Sequence, residues 1–124
     1  MPKPFASARV IEWKEAWESR EVEPVVAMYA ESAKHASGMV ASLWPELGRN
    51  VLHGRDEIRA YAVRGIQRLT TMRFELLTVT ESGGRAAVEY HRHSNLDPAN
   101  PKHVLELIEW EPGGLISSVR VFHF

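Results

Sequence analysis

The 124-residue sequence predicts an α+β domain, in which helices from the first half of the chain cover one face of a sheet formed by the second half. Four segments of the second half alternate apolar and polar residues with period two, as strands with one buried face do. Turn residues separate these segments, which span residues 72–80, 85–95, 103–111 and 115–124. A sheet with an apolar face buries that face against another layer. We therefore expect a curved, mostly antiparallel sheet that encloses a pocket beneath three packed helices.

The first half supplies the three helices. Ser7 suits the N-cap of a helix that runs to about residue 20, and Pro24 suits the first turn of a second helix that ends near residue 31. A third helix begins at Gly54, because apolar residues follow at helical spacing: Ile58, Tyr61, Ala62, Gly65, Ile66 and Leu69. Residues 32–38 predict a short strand, and residues 39–50 predict a loop that can act as a lid over a cavity. Pro2 and Pro4 predict that the N-terminal segment, the extended lead, has no helix or strand.

Length and composition predict a single domain over residues 1–124. A net charge of -1 provides no basic field for nucleic acid or for an anionic membrane, so neither is an expected partner. The sequence contains no cysteine, which excludes disulfides and thiolate chemistry. It also lacks a run of the roughly 20 apolar residues that a membrane span needs. We expect a cytoplasmic protein.

Several short segments resemble one protein family. They are Trp13 and Trp17 on the first helix, residues 25–31 on the second, residues 54–58 at the start of the third, and residues 113–122 in the last hairpin. In this order they resemble the NTF2-like superfamily, in its SnoaL-like and ketosteroid-isomerase-like branch. The resemblance implies a cone-shaped barrel around a mostly apolar cavity, commonly in a homodimer. It does not assign an activity, because the superfamily contains isomerases, dehydratases, cyclases, epoxide hydrolases and non-catalytic binding modules.

The candidate site follows from the face of each strand that is expected to be apolar. We predict that the sheet face carrying Phe74, Val88, Leu105 and Val121 lies toward the helices. By resemblance, His35 and Ser37 on the short strand also point inward. We predict His35 as a general acid or base, with Tyr90 and Arg92 orienting the substrate or stabilising an oxyanion. The predicted ligand-binding residues are Trp13, Trp17, Ser37, Tyr61, Phe74, His103, Leu105, Val121 and His123.

Two functions stay open at this stage. Ketosteroid-isomerase-like members carry a carboxylate on the short strand, where this chain has Ser37 and no predicted acid nearby. Epoxide-hydrolase-like members use an Asp-Arg-Asp set, and the matching positions here are Tyr90, Arg92 and Val121. The first hypothesis is a cofactor-independent lyase or isomerase acting on a small, apolar, carbonyl-bearing molecule. The second is a non-catalytic ligand-binding or dimerisation module.

The opposite sheet face suggests two further possibilities. His91 and His93 share that face and, with Glu89 or Glu106, match part of a metal site. No further downstream histidine is predicted there, so cross-strand charge pairs are favoured and no metal site is predicted. The same face is also expected to carry large apolar residues, namely Leu77, Val79, Val104, Ile108, Trp110, Ile116 and Phe122. We therefore predict a homodimer that packs through Ile108, Trp110 and Phe122.

Overall fold

Residues 5–124 form four α-helices and one short 3-10 helix that pack on a single six-stranded sheet. The structure, a computed structural model, describes residues 5–124, so the extended lead predicted at Pro2 and Pro4 lies outside the described residues. The elements in chain order are α1 (Ala8–Glu18), α2 (Val22–Ala27), β1 (Tyr29–Ser37), α3 (Gly38–Leu43), the 3-10 helix (Pro45–Leu47), β2 (Val51–His53), α4 (Gly54–Ile66), β3 (Met72–Ser82), β4 (Arg85–Ser94), β5 (Lys102–Trp110) and β6 (Ile116–His123).

The sheet has the strand order β2-β1-β6-β5-β4-β3. Strands β1 and β6 are parallel, and every other neighbouring pair is antiparallel. The predicted α+β fold with helices on a curved, mostly antiparallel sheet is confirmed. The sheet is open, with β2 and β3 at its edges, whereas the resemblance implied a closed barrel. No helix in the described part of the chain is long and apolar enough to cross a membrane.

The first half differs from the prediction in its element boundaries. Helix α2 ends at Ala27, and the strand predicted from residue 32 already begins at Tyr29. Tyr29 pairs with Ile116 of β6, whose backbone N–H donates to the Met28 carbonyl at 2.8 Å. This pairing with the last strand overrides the local helical pattern. The predicted loop over residues 39–50 contains α3 and the 3-10 helix, and a bidentate ion pair at 2.6 and 2.8 Å joins Arg49 to Glu57 of α4.

Strand β5 faces the opposite way from the prediction. Val104, Glu106 and Ile108 are buried on the inner face, whereas Leu105 and Leu107 lie on the outer face. The reason is the register with β4, in which Val88 lies directly opposite Glu106. Paired residues on antiparallel strands share a face, and Val88 is fully buried against the helices. The prediction of Leu105 as an inward residue is therefore wrong.

Register shifts in the strand pairing place additional residues, predicted on the outer face, in the core. The register of β3 shifts between Leu76 and Thr78, so both Leu76 and Val79 pack against the core. A second shift, between Glu109 and Trp110, directs Ile116 into the core as well. Such bulges are not visible in a period-two pattern. Most of the apolar residues assigned to the outer face are therefore core residues.

The predicted dimer surface is wrong in two of its three residues. Ile108 is fully buried, and Trp110 packs beneath Arg9, whose guanidinium carbon lies 4.2 Å from the ring centroid. Phe122 is exposed, and Leu105 and Leu107 accompany it on the outer face. The homodimer itself stays a prediction, now through this smaller apolar patch.

We expect light scattering to give twice the chain mass for the wild type and a single chain mass for Phe122→Glu, because a charged side chain in the patch would oppose packing of two copies. A monomeric wild type would contradict the dimer.

Candidate active site

A cavity of about 100 Å³ lies between the inner face of the sheet and helices α1, α3 and α4. Most of its wall is apolar, contributed by Trp17, Met39, Leu43, Ala62, Ile66, Leu69, Met72, Phe74, Leu96 and Val121. The polar side chains at the wall are His35, Ser37, Tyr61, Arg68, Tyr90, Arg92, Ser94, Glu106 and His123. A mostly apolar cleft with a few converging polar groups is the usual form of a small-molecule site.

The central ionisable group is Glu106, which the sequence analysis wrongly placed on the opposite sheet face with His91 and His93. Its side chain reaches the cavity from β5 and is only 6% exposed. The Tyr90 hydroxyl donates to Glu106 Oε1 at 2.5 Å. Burial raises the pKa of Glu106 to about 7, although Tyr90, the Arg92 charge and Trp13 each oppose that rise. A carboxyl group with this pKa exchanges protons readily near neutral pH.

Trp13 supports this carboxyl from behind the cavity wall. The indole is fully buried, and its ring packs against Phe74 at 5.2 Å and Tyr90 at 5.6 Å between centroids. Within residues 5–124, Trp13 Nε1 and Glu106 Oε2 both lack a partner in hydrogen-bond geometry, yet the indole N–H is close enough to favour the ionised carboxyl. Trp13 does not line the cavity. The prediction of Trp13 as a ligand contact is therefore wrong, because α1 places it in the core.

Arg92 supplies the positive charge of the site. It lies two residues beyond Tyr90 on β4, so both side chains take the inner face. Among the described residues it forms no salt bridge. Its charge lowers the pKa of Glu106 and contributes to lowering the pKa of His123. A guanidinium without a carboxylate partner is free to bind a negatively charged oxygen of a ligand.

His35 lies at the opposite side of the cavity wall, on β1. Its ring is 4% exposed, and Nδ1 lies 3.1 Å from the hydroxyl of buried Tyr29. Burial lowers the pKa of His35 to about 4, so the ring is neutral at pH 7. If Nδ1 carried the proton, the Tyr29 hydroxyl hydrogen would need another acceptor in a buried region. The arrangement therefore favours Tyr29 as donor and leaves the Nε2–H of His35 as a hydrogen-bond donor.

The remaining polar wall groups are neutral or lie at the mouth. Burial raises the pKa of Tyr61 to about 12, and its ring packs 5.5 Å from that of His35. Ser37 Oγ accepts the backbone N–H of Met39 at 3.1 Å and so caps α3. His123 is exposed at the end of β6, and burial of part of its ring lowers its pKa.

The sequence comparison places the chain in a family. Residues 10–115 match the SnoaL-like domain family. The chain belongs to this family. The resemblance to the NTF2-like superfamily and its SnoaL-like branch is thus confirmed. A comparison with curated proteins finds no significant match.

Solved structures share the SnoaL-like fold over almost the whole chain. A SnoaL-like protein of unknown function from Burkholderia thailandensis aligns over 98% of this chain and 99% of its own, with 18% identity and a TM-score of 0.77. A protein with a ketosteroid isomerase-like fold from Catenulispora acidiphila covers 95% and 86%, with 15% identity and a TM-score of 0.73. The epoxide hydrolase/cyclase-like enzyme SalBIII of salinomycin pyran-ring formation covers 94% and 88%, with 22% identity and a TM-score of 0.72. These likenesses concern the fold alone.

In this SnoaL-like domain, the cavity brings together nine of the predicted site residues: His35, Tyr90, Arg92, Trp17, Ser37, Tyr61, Phe74, Val121 and His123. The other three lie elsewhere. Trp13 is in the core, and His103 and Leu105 are on the outer sheet face, where His103 Nε2 lies 2.6 Å from Glu89 Oε2. His103 follows the register of β5, so its prediction as a pocket residue is wrong.

One feature of the sequence indicates that Glu106 lies on the inner face. Val104 and Ile108 flank it at two-residue spacing, so a β-branched stripe runs along that side of β5 with a carboxylate in its middle. The prediction chose the other stripe, Leu105 and Leu107, which is equally apolar.

Proposed function

We propose that this SnoaL-like protein binds a small, apolar, carbonyl-bearing molecule and transfers a proton at the carbon beside the carbonyl. The activity would be that of a cofactor-independent isomerase or lyase. The observation that carries this proposal is a buried carboxyl group, Glu106, in an apolar cavity with the guanidinium of Arg92, which forms no salt bridge within residues 5–124. These two groups supply the two requirements of enolisation, a base for the carbon-bound proton and a positive charge for the oxyanion.

The roles follow from the charges and hydrogen bonds of the wall residues. Ionised Glu106 removes the proton, and the electron pair of the broken C–H bond moves to form the enolate, whose oxygen takes the negative charge. Arg92 stabilises that charge. The protonated Glu106 then returns its proton to another carbon in an isomerisation, or a group leaves from the neighbouring carbon in an elimination. Tyr90 is a positioning residue, because its hydroxyl is already committed to Glu106 Oε1.

His35 takes a different role from the one predicted. With its pKa lowered to about 4 it is neutral near pH 7, so the main limb of a pH–activity profile belongs to Glu106. Neutral His35 donates a hydrogen bond from Nε2, which suits a carbonyl or hydroxyl oxygen of the bound molecule. The size of the cavity supports a small ligand. A dry apolar cavity of about 150 Å³ takes up benzene, and this cavity of about 100 Å³ is smaller, so a ligand of one small ring would extend into its open mouth.

Exchange of α-protons for deuterium tests this function without knowledge of the natural substrate. Cyclopentanone, cyclohexanone and 3-cyclohexenone would be incubated with the protein in D₂O, and exchange followed by proton NMR. We expect exchange above the buffer rate for at least one ketone, rising with pH through about 7 as Glu106 ionises. Exchange at the buffer rate for every ketone that binds would reject catalysis and favour the non-catalytic binding module.

A further inference from the structure

The outer face of the sheet carries a second cluster of potential ligating groups, on the side away from the cavity. Glu75 Oε1 lies 2.8 Å from His93 Nε2 and 3.6 Å from His91 Nδ1. The three ligand atoms all fall within 4.8 Å of one another. The side chains are 47%, 31% and 38% exposed for Glu75, His93 and His91, so an ion can reach them from solvent.

The backbone holds these three groups on a paired part of the sheet. His91 and His93 are two residues apart on β4 and therefore share a face. Glu75 lies directly opposite His91 in the register of β3 and β4. Strand β4 is paired on both sides, with β3 and with β5. The site therefore stands on hydrogen-bonded strands, where its backbone positions are already fixed before an ion binds.

We propose that Glu75, His91 and His93 form a binding site for a divalent transition-metal ion such as Zn²⁺. Imidazole and carboxylate ligands bind zinc at about 2.0–2.2 Å, which places ligand atoms of a tetrahedral site about 3.3 Å apart. The contacts of Glu75 with the two histidines, at 2.8 and 3.6 Å, bracket that separation. The two histidine nitrogens lie within 4.8 Å of each other, and side-chain rotation that brings them together would close the site. Two imidazoles and one carboxylate leave a fourth position open for water or an external ligand.

Three neighbouring groups modify the site. The His103 ring lies 5.3 Å from that of His91, between centroids, and Glu89 holds its Nε2 at 2.6 Å. Glu89 and His103 thus add one carboxylate charge and one further imidazole beside the ion. Arg73 lies opposite His93 in the register and its positive charge opposes binding. A simple charge pair needs one histidine for Glu75, whereas here two imidazole nitrogens converge on a single carboxylate oxygen.

Titration calorimetry with ZnCl₂ tests the site in protein that carries no histidine tag. We expect one ion per chain, and at least tenfold weaker binding for His93→Gln and for Glu75→Gln, since loss of a direct ligand costs no less than the 10–100-fold typical of an outer-shell partner. The matched control is His53→Gln, an exposed histidine before α4 that should bind zinc like the wild type. All three substituted side chains are solvent-accessible, and thermal melts without metal should therefore coincide.

Cobalt provides the second readout. Co²⁺ bound by two imidazoles, a carboxylate and a water molecule is four-coordinate and gives visible d–d absorption. We expect this absorption for the wild type and not for His93→Gln. Equal zinc affinities for the wild type and His93→Gln would overturn the proposal. Loss of the bound zinc ion in His53→Gln would overturn it as well. α-Proton exchange is a separate measurement on the other face of the sheet, so either result leaves the cavity proposal to its own test.

Discussion

Replacing Glu106 with glutamine is expected to slow α-proton exchange by two to four orders of magnitude, the usual contribution of a positioned general base. Glutamine has nearly the same shape, and its amide oxygen can still accept the Tyr90 hydroxyl that now donates to Oε1. What it cannot do is take a proton from carbon. The loss should appear in initial exchange rates measured at pH 8, where the wild-type carboxyl is mostly ionised.

Two further variants make this result specific. Glu106→Asp keeps a carboxylate but withdraws it by one methylene, and we expect an intermediate rate. Glu109→Gln removes a carboxylate from the same strand on the solvent side, where it lies 3.9 Å from Arg85. That variant should exchange protons like the wild type. If Glu106→Gln also retained the wild-type rate, Glu106 would have no part in the chemistry.

The same substitution is expected to stabilise the fold at alkaline pH by about 3 kcal/mol. Burial raises the pKa of Glu106 from 4.5 to about 7, and one pKa unit corresponds to about 1.4 kcal/mol. Between these pH values the native state holds a proton that the unfolded chain has released. The free energy of unfolding therefore falls as pH rises from 4.5 to 7 and stays lower above it. Glutamine does not ionise, so the Glu106→Gln variant does not show this fall in the free energy of unfolding.

His35 contributes the opposite slope over nearly the same pH range. Burial lowers its pKa from 6.5 to about 4, so below pH 6.5 the unfolded chain binds a proton that the native state does not. Its contribution to stability is complete above pH 6.5 and is lost as pH falls toward 4. The size is again about 3 kcal/mol. In the wild type these two slopes should cancel between pH 4.5 and 6.5 and leave the smaller positive slope of His123, whose pKa is also lowered.

Urea unfolding followed by tryptophan fluorescence can separate the two contributions. Glu106→Gln should become more stable as pH rises from 4 to 6.5, because the opposing slope of Glu106 is gone and that of His35 remains. His35→Gln should become less stable as pH rises from 4.5 to 7, because the slope of Glu106 is then larger than the opposite slope of His123. Unfolding free energies of Glu106→Gln that run parallel to the wild type from pH 4 to 8 would contradict the raised pKa.

The candidate site was predicted with uneven success, for a reason visible in single strands. On β4 only one set of alternate residues is consistently apolar, namely Ala86, Val88 and Tyr90. Arg92 continues that set, so it was correctly expected at the cavity. On β5 both parities are apolar: Leu105 and Leu107 alternate with Val104 and Ile108. A shift of one residue exchanges the two faces of a strand, so the local pattern of β5 fits either assignment. The error removed Glu106 from the cavity and placed His103 in it.

Apart from α3, the 3-10 helix and β2, the amino-acid pattern alone predicted the helices and strands, because periodicity, caps and turn residues act within a few positions of the chain. It also determined the family, through short segments spread from Trp13 to the last hairpin. The folded structure was needed to establish which side of β5 meets the helices, where β3 changes face, and that Tyr29 begins a strand. Those outcomes depend on pairing between segments distant in sequence, and the pairing sets both the burial of Glu106 and the convergence of Glu75 with two histidines.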